Sequence, residues 1–263
     1  MSLVFAGITP HPPLLLENIG KENITKLKKT QEAMLRLEED LYLTHPQVIF
    51  ILSPHEGIHE TAFVVNVHDG FTASFEEFGD LVTTKHWKGG GEIGAKIAHA
   101  GNNYHLPIRL VSEEKLKYGA SVPLLCLTAH IPDVKIVPIG FSGLSQKDHL
   151  EFGEILKEVI LVSEKRIAVI ASGDMSHCLT KKSPASYNAK GKEFDERIQE
   201  LLHTRNTLGI SQLEEPIVNE AKQCLYSSLL ILLGILKHVD YQFENYCYEH
   251  PFGVGYLTGN FHF

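Results

Sequence analysis

The feature that most constrains this chain is an alternation between two periods. Short β-branched apolar runs take turns with longer stretches whose apolar residues recur every three or four positions. The runs are Leu3–Ile8 (LVFAGI), Val48–Leu52 (VIFIL), Ala62–Val67 (AFVVNV), Val134–Ile139 (VKIVPI) and Ile167–Ala171 (IAVIA), each bounded by Pro, Gly or charge. They read as strands, the near-continuous ones buried on both faces. Pro107–Val111 and Gly253–Gly259 are weaker strand candidates. Asn23–Leu43 reads as helix, with Ile24, Leu27, Met34, Leu37 and Leu41 forming the apolar stripe. Gly91–Ala100, Gln146–Val162, Tyr187–Thr204 and Ile217–Lys237 repeat the helical period. This order predicts an α/β fold: a three-layer α/β/α sandwich with a mixed, largely parallel central sheet. No repeat or linker interrupts the 263 residues, so 1–263 is expected to be a single domain.

Composition removes several classes of function. An apolar share of 43% excludes a disordered chain. The longest apolar stretch, around Leu229–Leu236, falls far short of the ~20 residues that cross a bilayer. The start, MSLVFAGITPHPP, has no basic n-region and no small-residue cleavage site, so no signal peptide is expected. A net charge of −8 argues against nucleic acid as a partner. Cys126, Cys178, Cys224 and Cys247 form no CxxC pair and read as reduced thiols, which suits a cytoplasmic location. The unusual count is 15 histidines against 24 Lys plus Arg.

Three of those histidines follow strands. LVFAGI runs into Thr9-Pro10-His11-Pro12-Pro13, VIFIL into Ser53-Pro54-His55, and IAVIA into Ser172-Gly173-Asp174-Met175-Ser176-His177. In α/β sheets the ligand crevice lies outside the carboxyl ends of the strands, so the three imidazoles should converge there. The flanking prolines stiffen the first two turns. Two histidines plus one carboxylate, with open positions, suit non-haem Fe(II), and a third histidine can serve as general acid and base. The further donor is expected from Ile217–Lys237, where Glu220 is a hard-oxygen candidate and Cys224, one turn later on the same face, a soft-sulfur one. A solvated Glu220 and a merely packed Cys224 are the bland alternative.

The segments ITPHPPLLL, ILSPH and SGDMSH, in this order, together with EAKQCLYSSLLILLG and EHPFGVGYLTG, resemble the class III extradiol ring-cleavage dioxygenases of the protocatechuate 4,5-dioxygenase β-subunit type. The resemblance covers nearly the whole chain and is nearest to the branch that includes the Memo-type proteins. It implies a metal held by His11, His55 and an acidic residue of the late helix, Glu220, with His177 as acid/base residue. It implies Fe(II) as cofactor, a small catecholic or aminophenolic aromatic substrate with O2, and either a homo-oligomer or a second subunit. It also places His250 near the pocket. Two departures stand out. Where many members carry a histidine before a Val-Pro-Leu segment, this chain has Tyr118, whose phenol (pKa ~10) can donate a hydrogen bond but does not carry protons at neutral pH. Memo-type relatives place a cysteine near Cys224, and a thiolate ligand would favour Zn or Cu. Two other readings therefore stand beside ring cleavage: a Memo-like metal-binding protein that acts through binding, and a metal-dependent hydrolase in which His177 activates water.

Other signals carry less. Gly89–Gly94 lacks the Lys-Ser/Thr of a phosphate loop. Ser53 and Ser172 beside the histidines suggest a hydrolase triad, but no G-x-S-x-G elbow is present. His45, His99, His105, His130, His149, His203 and His238 are expected at helix ends or in loops, while His59 and His68 flank a strand.

Overall fold

The structure, a computed structural model, describes residues 2–263. In chain order the elements are β1 (Leu3–Thr9), α1 (Glu17–Gly20), α2 (Lys28–Leu43), β2 (Val48–Leu52), β3 (Ile58–His59), β4 (Phe63–Asn66), β5 (Gly70–Phe75), β6 (Asp80–Gly89), α3 (Gly91–Asn103) and β7 (Ile108–Val111). They continue with α4 (Tyr118–Leu127), β8 (Lys135–Ser142), α5 (Gln146–Leu161), β9 (Ile167–Ser172), α6 (Ala189–His203), α7 (Thr207–Ser211), α8 (Glu215–Glu220), α9 (Tyr226–Ile235), β10 (Gln242–Glu249) and β11 (Tyr256–His262).

One 11-stranded sheet carries the fold, with the order β10-β11-β1-β9-β2-β8-β4-β7. The four central strands β1, β9, β2 and β8 are mutually parallel. The margins are mixed: β11 runs antiparallel to β1, β4 antiparallel to β8, and β7 parallel to β4. The β5–β6 hairpin joins through β6 to β8.

The apolar runs are strands because both of their faces are covered. Val48, Phe50 and Leu52 face one core with Ile93 and Ile97 of α3, Phe152 and Ile155 of α5, and the apolar length of α9. Ile49 and Ile51 alternate to the opposite core, under Met34, Leu37 and Leu41 of α2 and Leu124 and Leu127 of α4. Val169 and Ile170 divide in the same way. Helices thus cover both faces, giving the three-layer sandwich.

Element bounds follow the sequence closely in the centre, where Val48–Leu52 is the whole of β2. Three differences have physical causes. The stretch Ile217–Lys237 is two helices, because Lys222 takes a left-handed φ of 54° and ends the first. Helix α4 has no amphipathic period, since Ala120 through Leu124 are buried all round, and Pro123 lies inside it. Asn23–Leu43 begins as a 3-10 stretch, Lys21–Leu27, before α2. Histidines 45, 105 and 238 all adopt positive φ just beyond helix ends, whereas His149 is buried in α5 with its ring 5.0 Å from that of Phe63.

Candidate metal centre

Parallel pairing brings the three histidine turns together. Strands β1, β9 and β2 are neighbours, with Thr9 opposite Ser172 and Leu52 opposite Ala171. Their carboxyl ends therefore release His11, the 173–177 turn and His55 side by side. His11 is buried and His55 half-buried, with ring centroids 5.0 Å apart. One ligand atom each from His11, His55 and Cys224 lies within 4.8 Å of the others.

Cys224 arrives through the break between α8 and α9. The backbone N–H groups of Cys224 and Leu225 both donate to the Asp174 carbonyl, each at 3.1 Å. In return the Asp174 N–H donates to the Cys224 Sγ at 3.2 Å. Gly173 makes this approach feasible, because a Cβ there would lie 2.3 Å from the Leu225 Cα. Glu220 is outside the group. It is exposed, and its carboxylate accepts from the Asn188 side-chain amide at 3.0 Å. The left-handed Lys222 turns the chain between the two residues, so Glu220 and Cys224 do not share a helix face.

Hydrogen bonds around His11 fix which nitrogen is free. Ser172 Oγ donates its single hydrogen to the Gly119 carbonyl. Its 2.9 Å contact with His11 Nδ1 must then be one in which Ser172 accepts, so Nδ1 carries the imidazole proton. Nε2 is left with its lone pair, 3.5 Å from Cys224 Sγ. A tetrahedral zinc with Zn–S of about 2.3 Å and Zn–N of about 2.05 Å holds its sulfur and nitrogen donors about 3.6 Å apart. The donor set and its spacing therefore fit a metal ion. Gly119 also makes room for the second histidine: a Cβ on it would meet His55 Cδ2 at 2.6 Å.

Electrostatics agree with ligation. Burial, with a smaller contribution from His177, pushes His11 down to about 3. Burial and the neighbouring His11 and His177 push His55 down to about 4. Both are neutral at pH 7, as metal binding requires. Burial, and then the charge of Asp174, pushes the Cys224 thiol up. A bound cation reverses that preference by favouring the thiolate.

Asp174 lies at the centre of the arrangement. It is 5% exposed, accepts the His11 backbone N–H at 3.0 Å, and sits 3.9 Å from Nε2 of both His11 and His177. Burial raises its carboxyl to about 6 against the opposing pull of His177 and the His11 N–H. His177 is partly open, and its buried Nδ1 has no hydrogen-bond partner among the described residues. Tyr118 closes another side, its ring 4.4 Å from His55 and 5.5 Å from His11, with the phenol pushed up to about 12 chiefly by burial. The turn is braced from behind by buried Asp195, which accepts the Ser176 N–H and the Tyr248 hydroxyl. His250 is exposed beside Tyr248, with ring centroids 5.9 Å apart. Its segment does reach the turn, where Met175 and Leu179 donate to the carbonyls of Gly255 and Gly253.

Sequence reasoning brought out His11, His55, His177, Tyr118 and Cys224, and all five meet here. Asp174 stands inside the same SGDMSH segment, with no residue pattern in the sequence to mark its role. Ser172 entered only as a nucleophile candidate, whereas the structure gives it the orientation of His11.

An α/β sandwich with a His–His–Cys group at the carboxyl ends of its central strands defines the class. The chain belongs to the family described as the catalytic LigB subunit of aromatic ring-opening dioxygenase, which it matches over residues 6–259. It is 27% identical over 265 aligned positions to protein CA_C1420 of Clostridium acetobutylicum, covering 97% of this chain. The chain spans 57% of the length of that curated relative. The crystal structure of the uncharacterized protein JW3007 from Escherichia coli K12 has the same fold, with a TM-score of 0.69 at 17% identity over 98% of this chain and 99% of that one. Among the described residues no helix is long and apolar enough to cross a membrane.

Proposed function

We propose that this chain is a metal-binding protein of the Memo-like kind, its metal held by His11, His55 and Cys224 rather than by two histidines and Glu220. One observation carries the reading: the Cys224 sulfur stands 3.5 Å from His11 Nε2, while Glu220 is bound to Asn188 at the surface. Two imidazoles and a thiolate favour Zn over Fe(II). When bound, the metal supplies Lewis acidity at a ligand oxygen. The chain's own groups then act around that ligand. Tyr118 is placed to donate a hydrogen bond from its hydroxyl, and its high pKa keeps that proton in place. His177 presents Nε2 to that side, 3.9 Å from the Asp174 carboxylate. The four cysteines are all free thiols, in keeping with a reducing compartment such as the cytoplasm.

The second reading is extradiol ring cleavage with Fe(II) and O2 on a small aromatic diol. The pairing of His177 with Asp174 favours it, because this is acid/base equipment that a purely binding role does not need.

Anaerobic loading with Fe(II) or Zn(II), metal quantitation, and a panel of catechols followed for O2 uptake and yellow products separate the two. The proposal expects about one metal per chain, loss of metal in Cys224→Ala, full metal in Glu220→Ala and no diol turnover. Metal retained in Cys224→Ala and lost in Glu220→Ala would overturn the ligand set. Turnover of a diol that disappears in His177→Ala would establish the ring-cleaving reading.

A further inference from the structure

Beside the His–His–Cys group lies a cavity of about 260 Å³, bordered by His55 itself. Its sheet wall follows from strand register. Val64 of β4 pairs with Arg109 of β7, and Val111, two residues on, projects to the same face as Arg109. The opposite wall is the Glu56–His59 segment, and Lys117, immediately before α4, closes the rim.

The charges here are unevenly committed. Glu56 is buried at 9% exposure, and one of its carboxylate oxygens accepts the Lys117 backbone N–H at 2.7 Å. Glu113 is exposed on the rim. Arg109 and Lys117 are exposed at the mouth of this cavity, and neither has an ion-pair partner among the described residues. With Glu56 buried and committed to the Lys117 N–H, and Glu113 out on the rim, the two cations are the charged groups of this concave site that lack a partner and stand next to His55. The guanidinium offers a planar fork to a carboxylate or phosphate, and the ammonium a point charge.

We propose that this cavity binds the carboxylate or phosphate group of a small ligand, held by Arg109 and Lys117, whose remainder extends past His55 toward the metal centre. The placement beside that centre rests on the metal reading above; the anion site itself does not.

The test is calorimetric titration of the purified protein with benzoate, inorganic phosphate and benzylamine. Wild type is expected to bind at least one anion and not the amine. Arg109→Ala and Lys117→Ala should each weaken that binding about tenfold. Lys165→Ala, at the opposite end of the strands, should leave it unchanged, and metal content should be the same in all four proteins. Preference between benzoate and phosphate identifies the group. Repeating the titrations after metal depletion separates this proposal from the metal reading: binding that still depends on Arg109 and Lys117 supports the site even where no metal is found. Absence of anion binding, binding insensitive to both substitutions, or preference for benzylamine would overturn it.

Discussion

At the residue scale, the most consequential group outside the donors is a hydroxyl. Ser172 has one hydrogen to give and gives it to Gly119, so it fixes the His11 tautomer and frees Nε2. It also ties the two candidate metal-binding histidines together, because the same Gly119 is the surface against which His55 rests. Ser172→Ala would leave the His11 Nδ1–H and the Gly119 carbonyl without this partner in a buried place. Loss of an orienting partner of this kind costs about 10- to 100-fold in metal affinity. Competition with a chromophoric chelator would read that loss, and circular dichroism would show the fold retained. Unchanged affinity would mean that the imidazole is held by packing alone. Asp174 and Ser172 were hard to recognise in sequence for a common reason. Their importance comes from partners 163 and 161 positions away, whereas His11 and His55 announce themselves by standing directly after strands.

Elements show where sequence patterning succeeds and where it stops. Runs such as VIFIL are legible because a strand covered on both faces needs no alternation, and parallel central strands are covered that way. The β5–β6 hairpin carries a quieter signal, in which Phe71, Ala73 and Phe75 alternate inward with period two. Strand β10 is harder to see, since its register shifts between Asn245 and Cys247 and breaks the period. The helix expected over Ile217–Lys237 matters most for the site. Its apolar content is real, but the helical period cannot report a left-handed residue, and Lys222 moves Cys224 off the helix and onto Asp174. The contact that fixes this break is the close approach of Gly173 to Leu225. Gly173→Ala would set a methyl against backbone that cannot yield cheaply. We expect a loss of about 1–3 kcal/mol in denaturant unfolding, with weakened metal binding, because Cys224 is displaced along with Leu225. A Gly173→Ala protein with wild-type stability and metal affinity would show that the break between α8 and α9 adjusts freely.

On the scale of the whole molecule, buried titratable groups pull stability in opposite directions with pH. His11 and His55 have folded values of about 3 and about 4 against 6.5 for the unfolded chain. The unfolded state therefore binds more protons, and their contribution is present above pH 6.5 and lost as pH falls below it. Three carboxyls do the reverse. Burial raises Glu56 to about 8, Asp195 to about 7 and Asp174 to about 6. Each keeps a proton in the folded protein that the unfolded chain has released, so stability falls as pH rises toward those values. Below pH 6.5 the histidines and carboxyls offset one another. Between about 7 and about 8, Glu56 is the main group still losing its proton in the fold, with Asp195 half-titrated at the start of the window. In that window the metal-free protein should lose about 1 kcal/mol through Glu56, against a limiting slope of about 1.4 kcal/mol per pH unit and group, and a few tenths more through Asp195. Urea midpoints at the two ends of the window measure the loss. Glu56→Gln, which keeps an acceptor for the Lys117 N–H and removes the titration, should flatten it. Parallel pH dependence in wild type and Glu56→Gln would assign the slope to another group and leave Glu56 ionised in its buried site.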